Sequence, residues 1–147
     1  MSARRPARLL VGAVAAACAA SLLAGCSNGS TVAAKRPHQG TATASPLGNG
    51  VQQVTITTGN DLRFHPSTVV VHPGRVRIVL RNTAKVGSGP PHNLRVPNLP
   101  GAPGTATISA GQSAHWEFVA PAPGRYRFVC TIHVSQGQTG TLIVKAG

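Results

Sequence analysis

Acidic side chains are almost missing from this chain: Asp61 and Glu117 are the only 2 carboxylates in 147 residues. Catalysis that pairs one carboxyl as acid with another as base therefore has almost nothing to draw on. Aromatics make up only 3% of the chain. Charged residues make up 11%, too few for a helical bundle or coiled coil, which are rich in Ala, Glu, Lys and Leu. Cysteine occurs 3 times, and Cys18 and Cys26 lie in the N-terminal segment, which argues against a disulfide-stapled fold. The uncharged run from Leu9 to Ala24 is shorter than the about 20 apolar residues that a membrane-spanning helix needs. What the chain has in quantity is Gly (17), Pro (12) and Lys plus Arg (14), for a formal charge of +12.

The N-terminal segment reads as an export signal. Arg4, Arg5 and Arg8 precede the Ala- and Leu-rich run, the order of a basic region followed by a signal-peptide core. The run ends in Leu23-Ala24-Gly25-Cys26, which resembles a bacterial lipobox. That resemblance implies a lipoprotein signal peptide over 1–25, and a Cys26 that carries lipid and anchors the exported protein to the outer face of the cell membrane. The Arg4-Arg5 pair leaves twin-arginine export open beside the general route. Cys18 would leave with the signal. Cys130 would then be the one unlipidated thiol in an oxidising compartment, where a free thiol survives best if it is buried or bound to metal.

Ser, Thr, Ala, Gly and Pro dominate the next stretch without apolar periodicity, so 26–50 is expected to be a flexible tether. From Val51 the texture becomes alternating. Val54 and Ile56 alternate with Thr; Val69 and Val71 share a face, as do Val76, Ile78 and Leu80. Trp116 and Phe118, then Tyr126, Phe128 and Cys130, then Leu142 and Val144 repeat the pattern. Period-two runs separated by Pro- and Gly-rich turns predict antiparallel strands. The expected domain, 51–147, is all-β: a Greek-key β-sandwich or barrel of about seven to eight strands.

The residues that carry chemistry lie near the C-terminus. Cys130 ends the Tyr126–Val129 run, and His133 follows in Cys130-Thr131-Ile132-His133. A strand end fixes the sulfur, and two intervening residues let the chain turn an imidazole onto the same ion. His92, after Pro90-Pro91, is the best placed second imidazole, with His65, His72 and His115 as competitors. Two imidazoles and one thiolate form the trigonal set that suits copper, completed by a weak axial ligand.

Taken in order, these pieces resemble a small cupredoxin, a blue-copper domain, over nearly all of 51–147. The matching segments are Phe64-His65-Pro66, Pro73-Gly74 before Val76, Asn82, His92-Asn93, and Tyr126-Arg127-Phe128-Val129-Cys130-x-x-His133 with Gly140-x-Leu142-x-Val144. The resemblance implies a Greek-key sandwich that binds one type 1 copper ion through His92, Cys130 and His133. The family usually places Met after the second His, but the chain's only Met is Met1, and Gln138 occupies that slot. The resemblance to stellacyanin-type sites makes Gln138 the expected axial ligand, a harder donor than a thioether that favours Cu(II). Asn82 is the expected neighbour that hydrogen-bonds across the ligand loops and pins Cys130, or else an ordinary strand-end Asn.

The function that follows is single-electron transfer by a membrane-tethered copper protein, and not enzymatic catalysis. Copper delivery at the membrane uses the same ligands and stays open, as does a metal-free interaction module. The basic side chains form no run or nucleic-acid motif, so no nucleic-acid partner is expected. They suit acidic redox partners or anionic head groups, and a monomer is the family's default.

Overall fold

The alternation around Ile78 is the clearest in the structure. In Arg75–Asn82 the side chains of Val76, Ile78, Leu80 and Asn82 are buried, while Arg75 and Arg81 are exposed. A strand with one face in the core must alternate in this way. The computed structural model describes residues 39–101 and 103–147. Eight strands lie among them: β1 Thr41–Thr43, β2 Ser45–Gly48, β3 Val51–Thr58, β4 Thr68–Val71, β5 Arg75–Asn82, β6 Ser113–Val119, β7 Gly124–Val129 and β8 Thr139–Val144. They form two four-stranded sheets, ordered β1-β4-β8-β7 and β2-β3-β5-β6. This is the all-β sandwich expected, and the only helical element described is the 3-10 turn Val134–Gln136.

Two expectations are revised. Strand structure begins at Thr41, inside the stretch read as tether. Thr41–Gly48 is one extended run that pairs with β4 of one sheet, then with β3 of the other. It changes sheet at Ala44, which is buried and donates its N–H to Val70 O at 2.8 Å. The run shows no apolar alternation because Ala44 is its only buried residue. Pro46 is tolerated because β2 is an edge strand. The stretch read as a signal, Cys26 and the expected tether up to residue 38 lie outside the described residues.

The second revision concerns strand direction. β1–β4, β3–β5 and β4–β8 pair parallel, and only β2–β3, β5–β6 and β7–β8 antiparallel. The cause is topological. The chain leaves β3 for β4 in the opposite sheet and returns to β5 beside β3, so two reversals restore the original direction. Residue alternation reports which face is buried and carries no information on the direction of the neighbouring strand.

The core lies between the sheets. Ile56, Val69, Val71, Val76, Ile78, Leu80, Leu94, Phe128 and Leu142 have no exposed surface, and burial of each contributes about 1.5–3 kcal/mol. Phe64 and Phe128 meet edge to face with centroids 5.2 Å apart. At one end of the sandwich β3 and β5 finish opposite each other, Thr58 beside Asn82. There β7 passes into the loop that starts β8, with Val129 paired to Thr139. The side chains that carry chemistry gather at this end.

Candidate metal centre

Cys130 is placed by the strand before it. Phe128 has no exposed surface and Val129 little, and the Cys130 side chain follows into the core with none exposed. The chain then turns tightly. His133 N–H donates to Cys130 O (3.2 Å), Gln138 N–H to His133 O (3.1 Å), and Cys130 N–H to Gln138 O (3.1 Å). Gly137 closes the 3-10 turn at φ 81, a left-handed conformation that glycine adopts without a steric cost. These bonds hold Cys130, His133 and Gln138 in one loop.

His92 arrives from a different part of the chain. The segment after it runs beside the end of β7, with Arg95 N–H donating to Val129 O (2.9 Å) and Val129 N–H to Arg95 O (2.8 Å). Asn93 ties that segment to the Cys130 loop. Its Oδ1 accepts from Thr131 N–H at 2.9 Å, and its Nδ2 donates to Thr131 Oγ1 at 2.8 Å.

The result is a convergence of electron-pair donors. The ligating atoms of His92, Cys130 and His133 all lie within 4.8 Å of one another. Cys130 Sγ is 3.5 Å from His133 Nδ1 and 4.0 Å from His92 Nδ1. Gln138 Oε1 stands 3.0 Å from His92 Nδ1 and 3.1 Å from His133 Nδ1. Bonds of about 2.0 Å to imidazole and 2.3 Å to thiolate, spread trigonally around a metal, place N and S about 3.7 Å apart; the observed separations bracket that value.

Protons alone do not satisfy this arrangement. His92 Nε2 is 3.1 Å from Gly59 O, and Nδ1 faces the Gln138 oxygen. Both neighbours are acceptors, so a neutral imidazole serves one of them and only an imidazolium serves both. Burial pushes the His92 pKa below its ordinary 6.5, and the charge of His133 adds to that effect, against the raising effect of the Gln138 and Gly59 bonds and of Asp61. The neutral form with its proton on Nε2 leaves a lone pair on Nδ1 aimed at the centre. A cation there would suit both atoms, and the mixed N, S and O donors fit a first-row transition metal.

The structure thus brings together four of the residues singled out from the sequence: His92, Cys130, His133 and Gln138. Asn82 is close by but bonds elsewhere. Its Nδ2 donates to Pro90 O at 2.8 Å, and its Oδ1 accepts from Ala84 N–H at 3.1 Å, so it braces the approach to His92. The bond across the ligand loops expected of Asn82 is made instead by Asn93. His65 pairs with Asp61 at 2.6 Å on the surface, His115 is exposed, and His72 bonds Gln52 through its backbone. Among the described residues no other group of His, Cys, Asp and Glu could hold a metal. Sequence reading missed Thr58, Gly59 and Asn93 as site-shaping residues. For Asn93 the signal was its place next to a candidate ligand; Thr58 and Gly59 gave none.

His133 is the partly exposed member of the cluster. Ile132 and Val134 on either side of it are 43% and 39% exposed, an apolar rim around the one imidazole of the cluster that reaches the surface. No helix among the described residues is long and apolar enough to cross a membrane.

The family model for the cupredoxin-like domain matches residues 17–144. Auracyanin-B of Chloroflexus aurantiacus is 32% identical over 99 residues, which is 65% of this chain and 42% of that protein. The match thus spans less than half of the relative's length. Among solved structures, auracyanin A, described as a "blue" copper protein of Chloroflexus aurantiacus, superposes with a TM-score of 0.54 at 22% identity, covering 65% of this chain and 100% of that one. The metal-binding domain of the Cu(I)-exporting ATPase CopA of Streptococcus pneumoniae gives a TM-score of 0.55 at 18% identity, covering 74% of this chain and 98% of that one.

Proposed function

We propose that this chain, which belongs to the cupredoxin-like domain family, is a type 1 copper protein that carries single electrons. Copper would supply the Cu(II)/Cu(I) couple. His92 Nδ1, Cys130 Sγ and His133 Nδ1 would hold it as the trigonal set, with Gln138 Oε1 as the weak axial donor. The observation that carries this reading is that both imidazole Nδ1 atoms face Gln138 Oε1 at 3.0–3.1 Å and Cys130 Sγ at 3.5–4.0 Å, at a mostly buried site.

The surroundings suit electron transfer. Burial of Cys130, His92 and Gln138 keeps water out; Gly59 O and Thr58 Oγ1 accept hydrogen bonds from His92 and Gln138, and Asn93 ties the His92 segment to Thr131 next to Cys130. Little therefore needs to move when the electron arrives. His133, with its apolar rim of Ile132 and Val134, is the route by which an electron enters or leaves. The excess of basic groups draws acidic redox partners to the domain. The proposal includes an extracytoplasmic location with a lipid on Cys26, which a mass measurement of the isolated protein against a Cys26→Ser variant would test.

The decisive experiment is a Cu(II) titration followed by absorption and EPR spectroscopy. The expected result is an intense visible thiolate-to-copper band with a narrow copper hyperfine splitting at one ion per chain, lost in Cys130→Ser. A colourless protein overturns the reading. A blue protein that surrenders its copper to a chelator within seconds favours copper delivery over electron transfer.

A further inference from the structure

We propose that Thr58 is a positioning residue that decides which end of the Gln138 amide faces the metal centre, and so makes oxygen rather than nitrogen the axial atom. The inference rests on the copper reading above and deepens it. A side-chain amide has two ends of nearly equal shape. One is an acceptor that can face a cation, and the other is a donor that cannot. Gln138 is fully buried, so water offers its NH2 group no partner. The partner present is the Thr58 hydroxyl, which accepts from Gln138 Nε2 at 2.6 Å.

Thr58 is itself held rigidly. It is the last residue of β3, only 1% exposed. Its carbonyl accepts from both Thr83 N–H (2.8 Å) and Thr83 Oγ1 (3.0 Å). The hydroxyl oxygen therefore sits in a fixed place on the side of Gln138 away from His92 and His133, and there it accepts from the NH2 group. With the NH2 group directed there, Oε1 must point at the two imidazole nitrogens, as observed at 3.0 and 3.1 Å. A valine at this position keeps the shape and removes the acceptor, so nothing then holds the oxygen inward.

The test compares T58V, T58S, Q138M and the T58V/Q138M pair in the copper-loaded protein, reading reduction potential and EPR hyperfine splitting. An amide oxygen favours Cu(II), so T58V should raise the potential and change the splitting, while T58S keeps the wild-type values. In the Q138M background, T58V should cause no further shift, because its effect runs through the amide. A wild-type potential in T58V overturns the proposal, as does an equal shift in both backgrounds. A second readout needs no metal. The Gln138 side-chain NH2 protons of the metal-free protein should exchange with solvent slowly in the wild type and faster in T58V, beyond any change at other buried amides, and equal exchange in the two proteins overturns the proposal. If the wild-type protein never turns blue, the copper reading fails, whereas faster NH2 exchange in T58V would still report the Thr58–Gln138 bond.

Discussion

The Nε2 of His92 lies 3.1 Å from the carbonyl oxygen of Gly59, and that one bond determines which imidazole nitrogen is left for a ligand. With the proton on Nε2, Nδ1 is left to face Cys130, His133 and Gln138. The bond comes from the residue just after β3, next to the Thr58 that holds the Gln138 amide. One short stretch of backbone thus orients two of the four donors. Such support around a metal site typically changes affinity or activity by 10–100-fold when removed.

A pH dependence follows for the metal-free protein. Burial lowers the folded-state pKa of His92 below 6.5, so between the two values the unfolded chain binds more protons than the folded one. Stability contributed by the neutral ring is complete above pH 6.5 and declines as the pH falls through the folded-state value. Thermal melts of the apo-protein from pH 8 to pH 5 should show falling transition temperatures in the acid half of that range. In His92→Gln the fall should be shallower; an identical slope in both proteins would sink the idea.

Asn93→Ala should loosen the centre more than it unfolds the domain. The change removes the bonds that tie the His92 segment to Thr131, next to Cys130. It leaves the Thr131 N–H short of a partner, at a cost of about 1–3 kcal/mol. Copper loss to a chelator should be faster than in the wild type, with the fold retained by circular dichroism. Unchanged release kinetics would show that the two loops hold together without Asn93.

The strands and the ligand set were readable from the sequence for different reasons. Val76, Ile78 and Leu80 alternate with polar neighbours, and alternation is a local property that survives translation into structure. Cys130 and His133 were readable because three positions span one turn. Thr58 was not, because it meets Gln138 across a separation of 80 residues and carries no local signature. The parallel β3–β5 pairing was hidden for a similar reason: sheet order is decided by where the chain crosses, and alternation is blind to it. Thr41–Gly48 escaped notice because an edge run that buries only Ala44 has no pattern to show.

Asn82→Ala should act mainly on stability. The Asn82 side chain donates to Pro90 O and accepts from Ala84 N–H, and it is 1% exposed. Its removal leaves both groups short of partners, for a loss of about 1–3 kcal/mol measured by denaturant unfolding. Because Asn82 does not bond Cys130, the visible band of the copper form should keep its position while its intensity at saturation stays that of one ion. A large band shift would show that the brace on Pro90 is transmitted to the sulfur.

Two glycines, Gly104 against the His92 segment and Gly124 at the start of β7, should separate tight backbone contact from mere flexibility. A Cβ on Gly104 would lie 1.9 Å from Leu94 O and 2.9 Å from Arg95 Cα. Those are backbone atoms of the segment that carries His92, and they can yield only if the segment moves. A Cβ on Gly124 would meet nothing closer than Tyr126 at 3.6 Å, an ordinary contact. Gly104→Ala should therefore cost about 3 kcal/mol or more and perturb the copper spectrum through the His92 segment. Gly124→Ala should fall within about 1 kcal/mol of wild type, since it mainly restricts the unfolded chain. Equal unfolding midpoints for the two variants would mean that the His92 segment is not packed against Gly104 as tightly as these distances require.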